Sequence, residues 1–182
     1  PILIEAIYKN IKKEIKKQGK EKIVNFARGT SNVLRKIKID MRRVLFKSIL
    51  EPLGGKLKCI IAGGAALDKE VSLFFDSIGV TVFQGYGLTE TAPVLAAENY
   101  GYRRAGSIGV PIPEVVFDIF EKDANGIGEV RVKGKNIMLG YYEDQALTDE
   151  VIKDGWFYTG DLGYFDKDGY IFLTGRKKDM IV

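Results

Sequence analysis

The amino-acid sequence predicts an α/β fold in three stretches: a helical N-terminal segment over 1–52, a parallel β-α-β piece over 53–100, and a small antiparallel, barrel-like β subdomain over 101–182. Isoleucines recur at helical spacing through a lysine-rich start. Two short apolar runs flank an amphipathic stretch in the middle, and alternating short runs separated by Asp/Asn/Gly turns fill the last part.

Ile4, Ile7, Ile11 and Ile15 share one helix face with lysines between them, which reads as a solvated helix docked by its isoleucines. Packing against the α/β piece is expected to consume this narrow stripe. A second helical pattern, Leu34, Ile37, Met41, Leu45 and Ile49, follows an expected break at Gly29-Thr30-Ser31, whose hydroxyls suit helix caps. After Pro52-Leu53-Gly54-Gly55 the texture changes. Leu57 to Ile61 is a short apolar run, Asp68 to Ser77 places Val71, Phe74 and Phe75 in helical register with Ile78, and Val80 to Phe83 is apolar again, so two parallel strands joined by a helix are expected. Further on, Val115 to Glu121 and Glu129 to Lys133 flank Asp123-Ala124-Asn125-Gly126, while Leu162 to Phe165 and Tyr170 to Leu173 flank Asp166-Lys167-Asp168-Gly169. Those are two hairpins.

Composition narrows the chemistry. Of 182 residues, 46% are hydrophobic, enough for a sizeable core, and none is histidine, so Ser-His-Asp triads, Cys-His pairs and His-ligated zinc are excluded. The single cysteine, Cys59, sits in an apolar run and reads as a buried strand thiol, fitting a reducing cytoplasm. The formal charge of +4 is uneven: residues 1–47 hold 14 Lys/Arg against 4 Asp/Glu, and the remainder 14 against 20. The basic excess therefore suits weak, salt-sensitive attachment to an anionic membrane surface, and nucleic acid is not expected as a partner. The longest apolar run, around Cys59 to Leu67, falls far short of the roughly 20 residues that span a bilayer, and no leader pattern is recognisable. Pro1 at the start and the apolar close at Met180, Ile181 and Val182 raise the expectation of a piece of a longer chain.

In an open parallel sheet, ligands bind beyond the carboxyl ends of the strands. The segments leaving the two expected strands are Ala62-Gly63-Gly64-Ala65-Ala66-Leu67 and Gln84-Gly85-Tyr86-Gly87-Leu88-Thr89-Glu90-Thr91. Small residues in the first would let a flat ligand approach the backbone, and Gly85 and Gly87 would leave the Tyr86 ring free to stack on a base. Neither segment matches a Walker phosphate loop or a dinucleotide fingerprint, and a generic tight turn explains either one as well.

Together with Tyr158-Thr159-Gly160-Asp161 and Thr174-Gly175-Arg176-Lys177-Lys178-Asp179, in this order and spacing, the sequence resembles the adenylate-forming superfamily of acyl-CoA synthetases, peptide-synthetase adenylation domains and luciferases. Ala105-Gly106-Ser107-Ile108-Gly109-Val110-Pro111 and the stretch from Val132-Lys133-Gly134 to Met138-Leu139-Gly140-Tyr141-Tyr142 look like two further signatures. Pro1, Glu5, Ile7 and Tyr8 before a long basic helix are similar to the long-chain fatty acid type. The resemblance covers nearly the whole chain.

The resemblance implies a fragment of the synthetase fold and an acid–thiol ligase, in which a long-chain fatty acid is activated by Mg²⁺-ATP to acyl-AMP and passed to CoA. It places Tyr86 against adenine, Gly64, Ala65 and Ala66 along the adenine loop beside Gly85 and Gly87, Thr89 on an α-phosphate oxygen, Glu90 on Mg²⁺, Asp161 on the ribose hydroxyls and Arg176 on ribose and phosphate. A hard carboxylate oxygen is what Mg²⁺ prefers, and an ionised Asp is an acceptor that can take bonds from two hydroxyls. Structural alternatives stand beside these: Tyr86 a packed aromatic, Thr89 and Glu90 a helix start, Asp161 a turn residue, Arg176 a surface cation. For the ribose role, Asp161 is expected as a turn carboxylate after Gly160 that need not be buried, so that its loss would leave stability nearly unchanged. Trp156 reads as a core anchor, Asp179 matches the hinge before a small C-terminal domain, and Glu114 stands where many relatives have glycine. Nothing resembles the family's Ser/Thr/Gly-rich phosphate loop or its C-terminal catalytic lysine, so these 182 residues alone are expected to be inactive. A basic-helix docking module without catalysis, and adenylation of a different carboxylic acid, are the competing readings.

Overall fold

The computed structural model describes residues 1–36, 39–65 and 67–179. Expectations placed on Ile37, Ala66 and Met180, Ile181 and Val182 lie outside the described residues, as does the side chain of Leu34. The chain divides into two compact units, Pro1–Ala62 with Leu67–Phe83, and Gly63–Ala66 with Gln84–Val182.

In the first unit, α1 (Ile2–Lys17) buries Ile4 and Tyr8, while the Tyr8 hydroxyl donates to Glu70 Oε1 at 2.7 Å. The helix ends where Gly19 turns left-handed at φ 66°, with Lys20 N–H closing on the Ile15 carbonyl. So the break falls ten residues before the one expected at Gly29. Helix α2 (Glu21–Lys36) runs through Gly29-Thr30-Ser31: Thr30 Oγ1 donates back to the Phe26 carbonyl, which satisfies the hydroxyl without ending the helix, and Ser31 is fully buried. The pattern expected over 34–49 is likewise divided, into α3 (Arg42–Leu45) and α4 (Lys47–Leu50), by the buried Phe46. Ile7, Ile11 and Ile15 are only partly buried and line, with Ile23, Val24 and Ile49, a cavity of about 710 Å³. The isoleucine stripe is therefore consumed by packing only in part: Ile4 is buried, and the other three are half-buried against the core.

Strand β1 (Cys59–Ala62), helix α5 (Lys69–Ser77) and strand β2 (Thr81–Tyr86) form the expected parallel β-α-β unit, with Cys59 half-buried in its strand. Asp68 caps α5 by accepting from Glu70 N–H at 2.6 Å. Phe75, Ile78, Val80 and Val82 are fully buried and form the centre of this unit's core.

In the second unit, the end of β2 pairs antiparallel with β3 (Ala96–Ala97), which pairs with β4 (Val110–Pro111). A further sheet contains β5 (Val116–Phe120), β6 (Gly128–Lys133), β7 (Ile152–Lys153), β8 (Trp156–Phe165) and β9 (Ile171–Arg176), with helix α6 (Gln145–Val151) preceding β7. The order is β5-β6-β8-β7, and β9 joins β8. This is the expected antiparallel subdomain, open rather than closed into a barrel. Both predicted hairpin turns form by one device: the Asp123 carboxylate accepts from Asn125 and Ile127 N–H, and the Asp166 carboxylate from Asp168 and Tyr170 N–H. Along β8 the inward face is Phe157, Thr159, Asp161 and Gly163. Trp156, expected in the core, takes the opposite face, where the Arg131 and Lys133 cations lie 4.8 and 4.5 Å from its ring.

Candidate functional site

Every candidate residue falls in the second unit. The loop after β1 exposes Gly64 and Ala65. Its backbone at Gly63 passes beside the Gly85 carbonyl, 3.5 Å from where a Cβ would stand. One turn further, Gly87 is packed so closely that a Cβ would lie 1.7 Å from the Pro93 carbonyl oxygen, so only glycine lets the chain fold back here. That fold-back produces a 3-10 turn over Thr89–Thr91. The buried Thr91 hydroxyl accepts from Leu88 N–H at 2.9 Å and holds the turn, which leaves Thr89 exposed and Glu90 half-exposed.

Tyr86 points the other way. Its ring is 9% exposed and lies 6.4 Å from Phe117, so it is packed in the core rather than free beside the glycines. The reason is strand alternation, which turns Tyr86 inward while Gly85 and Gly87 flank it. Its hydroxyl donates to Asp161 Oδ2 at 2.5 Å. Burial first, and then this bond to a carboxylate, push the Tyr86 phenol far above its usual range.

Asp161 is a buried strand residue, not an exposed turn residue, because β8 begins at Trp156 and the period-two alternation carries Asp161 inward with Phe157 and Thr159. Its backbone N–H donates to Thr159 Oγ1, and its second oxygen accepts from Arg176 Nε at 2.8 Å. Asp161 and Arg176 are directly opposed across the β8–β9 ladder. The guanidinium is half exposed, and its bond to the carboxylate raises its already high affinity for the proton. The structure therefore joins Tyr86, Asp161 and Arg176 through one carboxylate, and forms a separate group around Thr89 and Glu90.

Two residues of that second group carried no role in the sequence reading. Tyr141 donates its hydroxyl to Glu90 Oε1 at 2.9 Å, and Asn136 Nδ2 donates to the carbonyls of Thr91 and Val94, both at 2.8 Å. They lie in a stretch recognisable as a signature, but no periodicity links them to a turn some fifty residues earlier.

Residues 4–142 match the sequence profile of the family described as AMP-binding enzyme. The chain belongs to that family. Over its whole length it is 31% identical to long-chain-fatty-acid–CoA ligase FadD15 of Mycobacterium bovis, of which it covers 32%. Over 57% of its length it is 42% identical to a long-chain-fatty-acid–CoA ligase of Salmonella typhimurium, covering 20% of that protein. Among solved structures, O-succinylbenzoate coenzyme A synthetase of Bacillus subtilis in complex with ATP and magnesium ion superposes with a TM-score of 0.63 at 28% identity, over 75% of this chain and 31% of that one. The AMP-binding enzyme chain thus spans about a third of the length of these relatives or less.

The donor set of this chain fits Mg²⁺ in one manner only. No cluster of three or more metal-ligating side chains occurs among the described residues, so a closed protein cage is not available, but Mg²⁺ is ordinarily held by one or two carboxylates together with substrate phosphates and water. Glu90, half-exposed on its turn, offers one such carboxylate. Lys177, next to Arg176, is engaged with Glu129 at 2.7 Å.

Proposed function

We propose that the protein carrying this chain is a long-chain fatty acid–CoA ligase: the fatty acid carboxylate attacks the α-phosphorus of ATP and pyrophosphate leaves, then the CoA thiol forms a thioester as AMP departs. The observation that carries the reading is the buried Asp161 carboxylate, tied to Arg176 in the positions the family uses for ribose. An ionised carboxylate offers about four acceptor positions, so with the Tyr86 hydroxyl and Arg176 Nε in place it still has room for ribose hydroxyls, and neither the buried charge nor the buried phenol is left unpaired. Arg176 then turns its remaining N–H groups to ribose and phosphate. Gly64 and Ala65, with Gly85 and Gly87, would bring backbone close to adenine, beside the buried ring of Tyr86. Thr89 donates to an α-phosphate oxygen. Glu90 would hold Mg²⁺, which supplies charge neutralisation on the phosphates when bound.

The long-chain preference rests on the similarity to long-chain-fatty-acid–CoA ligases. An aromatic acid is the second reading, favoured by the similarity to O-succinylbenzoate coenzyme A synthetase. The 182 residues by themselves carry the ribose wall without a recognisable phosphate loop, so we propose that alone they make no acyl-adenylate. We propose a cytoplasmic protein with weak attachment at the inner membrane surface through the lysines of α1, on the strength of the basic excess over residues 1–47. Among the described residues, no helix is long and apolar enough to cross a membrane. Pyrophosphate release by the protein carrying this chain, measured with a panel of acids, tests the reading. Palmitate-like acids should stimulate release most, whereas equal or greater stimulation by benzoate or amino acids would transfer the assignment to a different acid.

A further inference from the structure

We infer that Tyr141 is a positioning residue for Glu90, fixing one carboxylate oxygen so that the other faces the divalent ion; this rests on the reading of Glu90 as an ion ligand. Glu90 lies on a three-residue turn, where a side chain with three rotatable bonds would ordinarily sample many directions. The 134–141 loop removes that freedom from both ends of the residue. Met138 N–H donates to the Glu90 carbonyl at 2.8 Å, and Asn136 Nδ2 ties down the carbonyls of Thr91 and Val94 just beyond. The Tyr141 hydroxyl then holds Glu90 Oε1 at 2.9 Å.

Tyr141 is itself anchored. Its backbone N–H donates to Thr148 Oγ1 at 2.9 Å, and that hydroxyl in turn donates to the Asp144 carbonyl at the start of α6. Gly140 makes this possible, since a Cβ there would stand 3.0 Å from the Thr148 side chain. The phenol therefore reaches Glu90 from a fixed backbone on a second element. A carboxylate ligand whose other oxygen is already hydrogen-bonded is pre-oriented for the ion, and losing such a supporting partner typically weakens metal affinity about 10–100-fold.

The test uses the protein carrying this chain with saturating ATP, and Mn²⁺ as the probe, with free Mn²⁺ read by electron paramagnetic resonance. Tyr141→Phe keeps the ring and removes only the hydroxyl. It should weaken Mn²⁺ binding about 10-fold or more. Glu90→Gln should weaken it at least as much, and adding Tyr141→Phe to Glu90→Gln should change nothing further, because the tyrosine acts only through that carboxylate. Wild-type affinity in Tyr141→Phe beside weakened Glu90→Gln overturns the positioning role and leaves the ligand role of Glu90 standing. A further loss when the two changes are combined also overturns it. Unchanged Mn²⁺ binding in Glu90→Gln removes the ligand role and the inference together.

Discussion

Replacing Asp161 with alanine separates two accounts of that residue by its effect on folding. In the exposed-turn account the change costs the fold nothing. In the structure the Asp161 side chain is 9% exposed and receives two donors, the Tyr86 hydroxyl and Arg176 Nε. Truncation frees Arg176, which is half exposed and is resolvated at little cost. Tyr86 is different: its hydroxyl loses its carboxylate acceptor in the core, a penalty of about 1–3 kcal/mol. The buried carboxylate's own desolvation is relieved, which offsets part of the lost charge-assisted bonding. The net expectation is a loss of about 2 kcal/mol. Urea unfolding of Asp161→Ala beside wild type measures it. Adding Tyr86→Phe to Asp161→Ala should restore part of the loss, since the orphaned group is then gone. A midpoint unchanged in Asp161→Ala, or a double variant weaker than the two single effects combined, would refute the reasoning.

Gly87→Ala forces a Cβ into the Pro93 carbonyl and should cost at least about 2 kcal/mol in urea unfolding while displacing Thr89 and Glu90; a neutral result would mean the fold-back is loose. Glu114 sits at φ 67°, a left-handed conformation that costs a residue with a Cβ about 1 kcal/mol, and its pairing with Lys135 is exposed. Glu114→Gly should therefore stabilise the protein by about 0.5 kcal/mol net of the extra chain entropy, and a loss in the same unfolding assay would count against the strain. Burial alone would push the Asp166 carboxyl up, but N–H bonds from Tyr170 and Asp168 and the Arg104 guanidinium hold it below the usual carboxylate range. Its contribution is present above the ordinary carboxylate range and is lost as pH falls through the depressed value, so Asp166→Asn should flatten the acid limb of melting temperature below about pH 4; an unaltered limb would assign acid sensitivity elsewhere.

The sequence made the β-α-β unit legible because a stretch of helical period lies between two short apolar runs within thirty residues. Both hairpins were legible because Asp123 and Asp166 each precede a glycine at the turn. Strands β3 and β4 were not, since two residues apiece carry no periodicity and their pairing depends on β2. The expected break at Gly29 failed because helix-compatible glycine and back-bonded Thr30 leave the ladder intact, while Gly19, four residues after Ile15, was the true stop. Asp161 was misplaced as an exposed turn residue for a related reason: starting the strand at Leu162 puts its carboxylate outside, whereas starting it at Trp156 puts Phe157, Thr159 and Asp161 on one inner face. Glu114, standing where many relatives have glycine, adopts a left-handed backbone conformation that no periodicity announces. The bond from Tyr141 to Glu90 is a tertiary meeting of two loops, which local patterns do not encode.

The account turns on Asp161 and Arg176 as a ribose site. Calorimetric titration of the protein carrying this chain with AMP, wild type beside Asp161→Asn, tests it most directly, because Asp161→Asn keeps the shape and one acceptor but removes the charge. Saturable AMP binding by wild type, weakened about 10-fold or more in the variant, is the predicted result, corresponding to a charge-assisted bond of about 1.5–3 kcal/mol. Equal AMP affinity in both proteins, or heat of binding from neither, would contradict it.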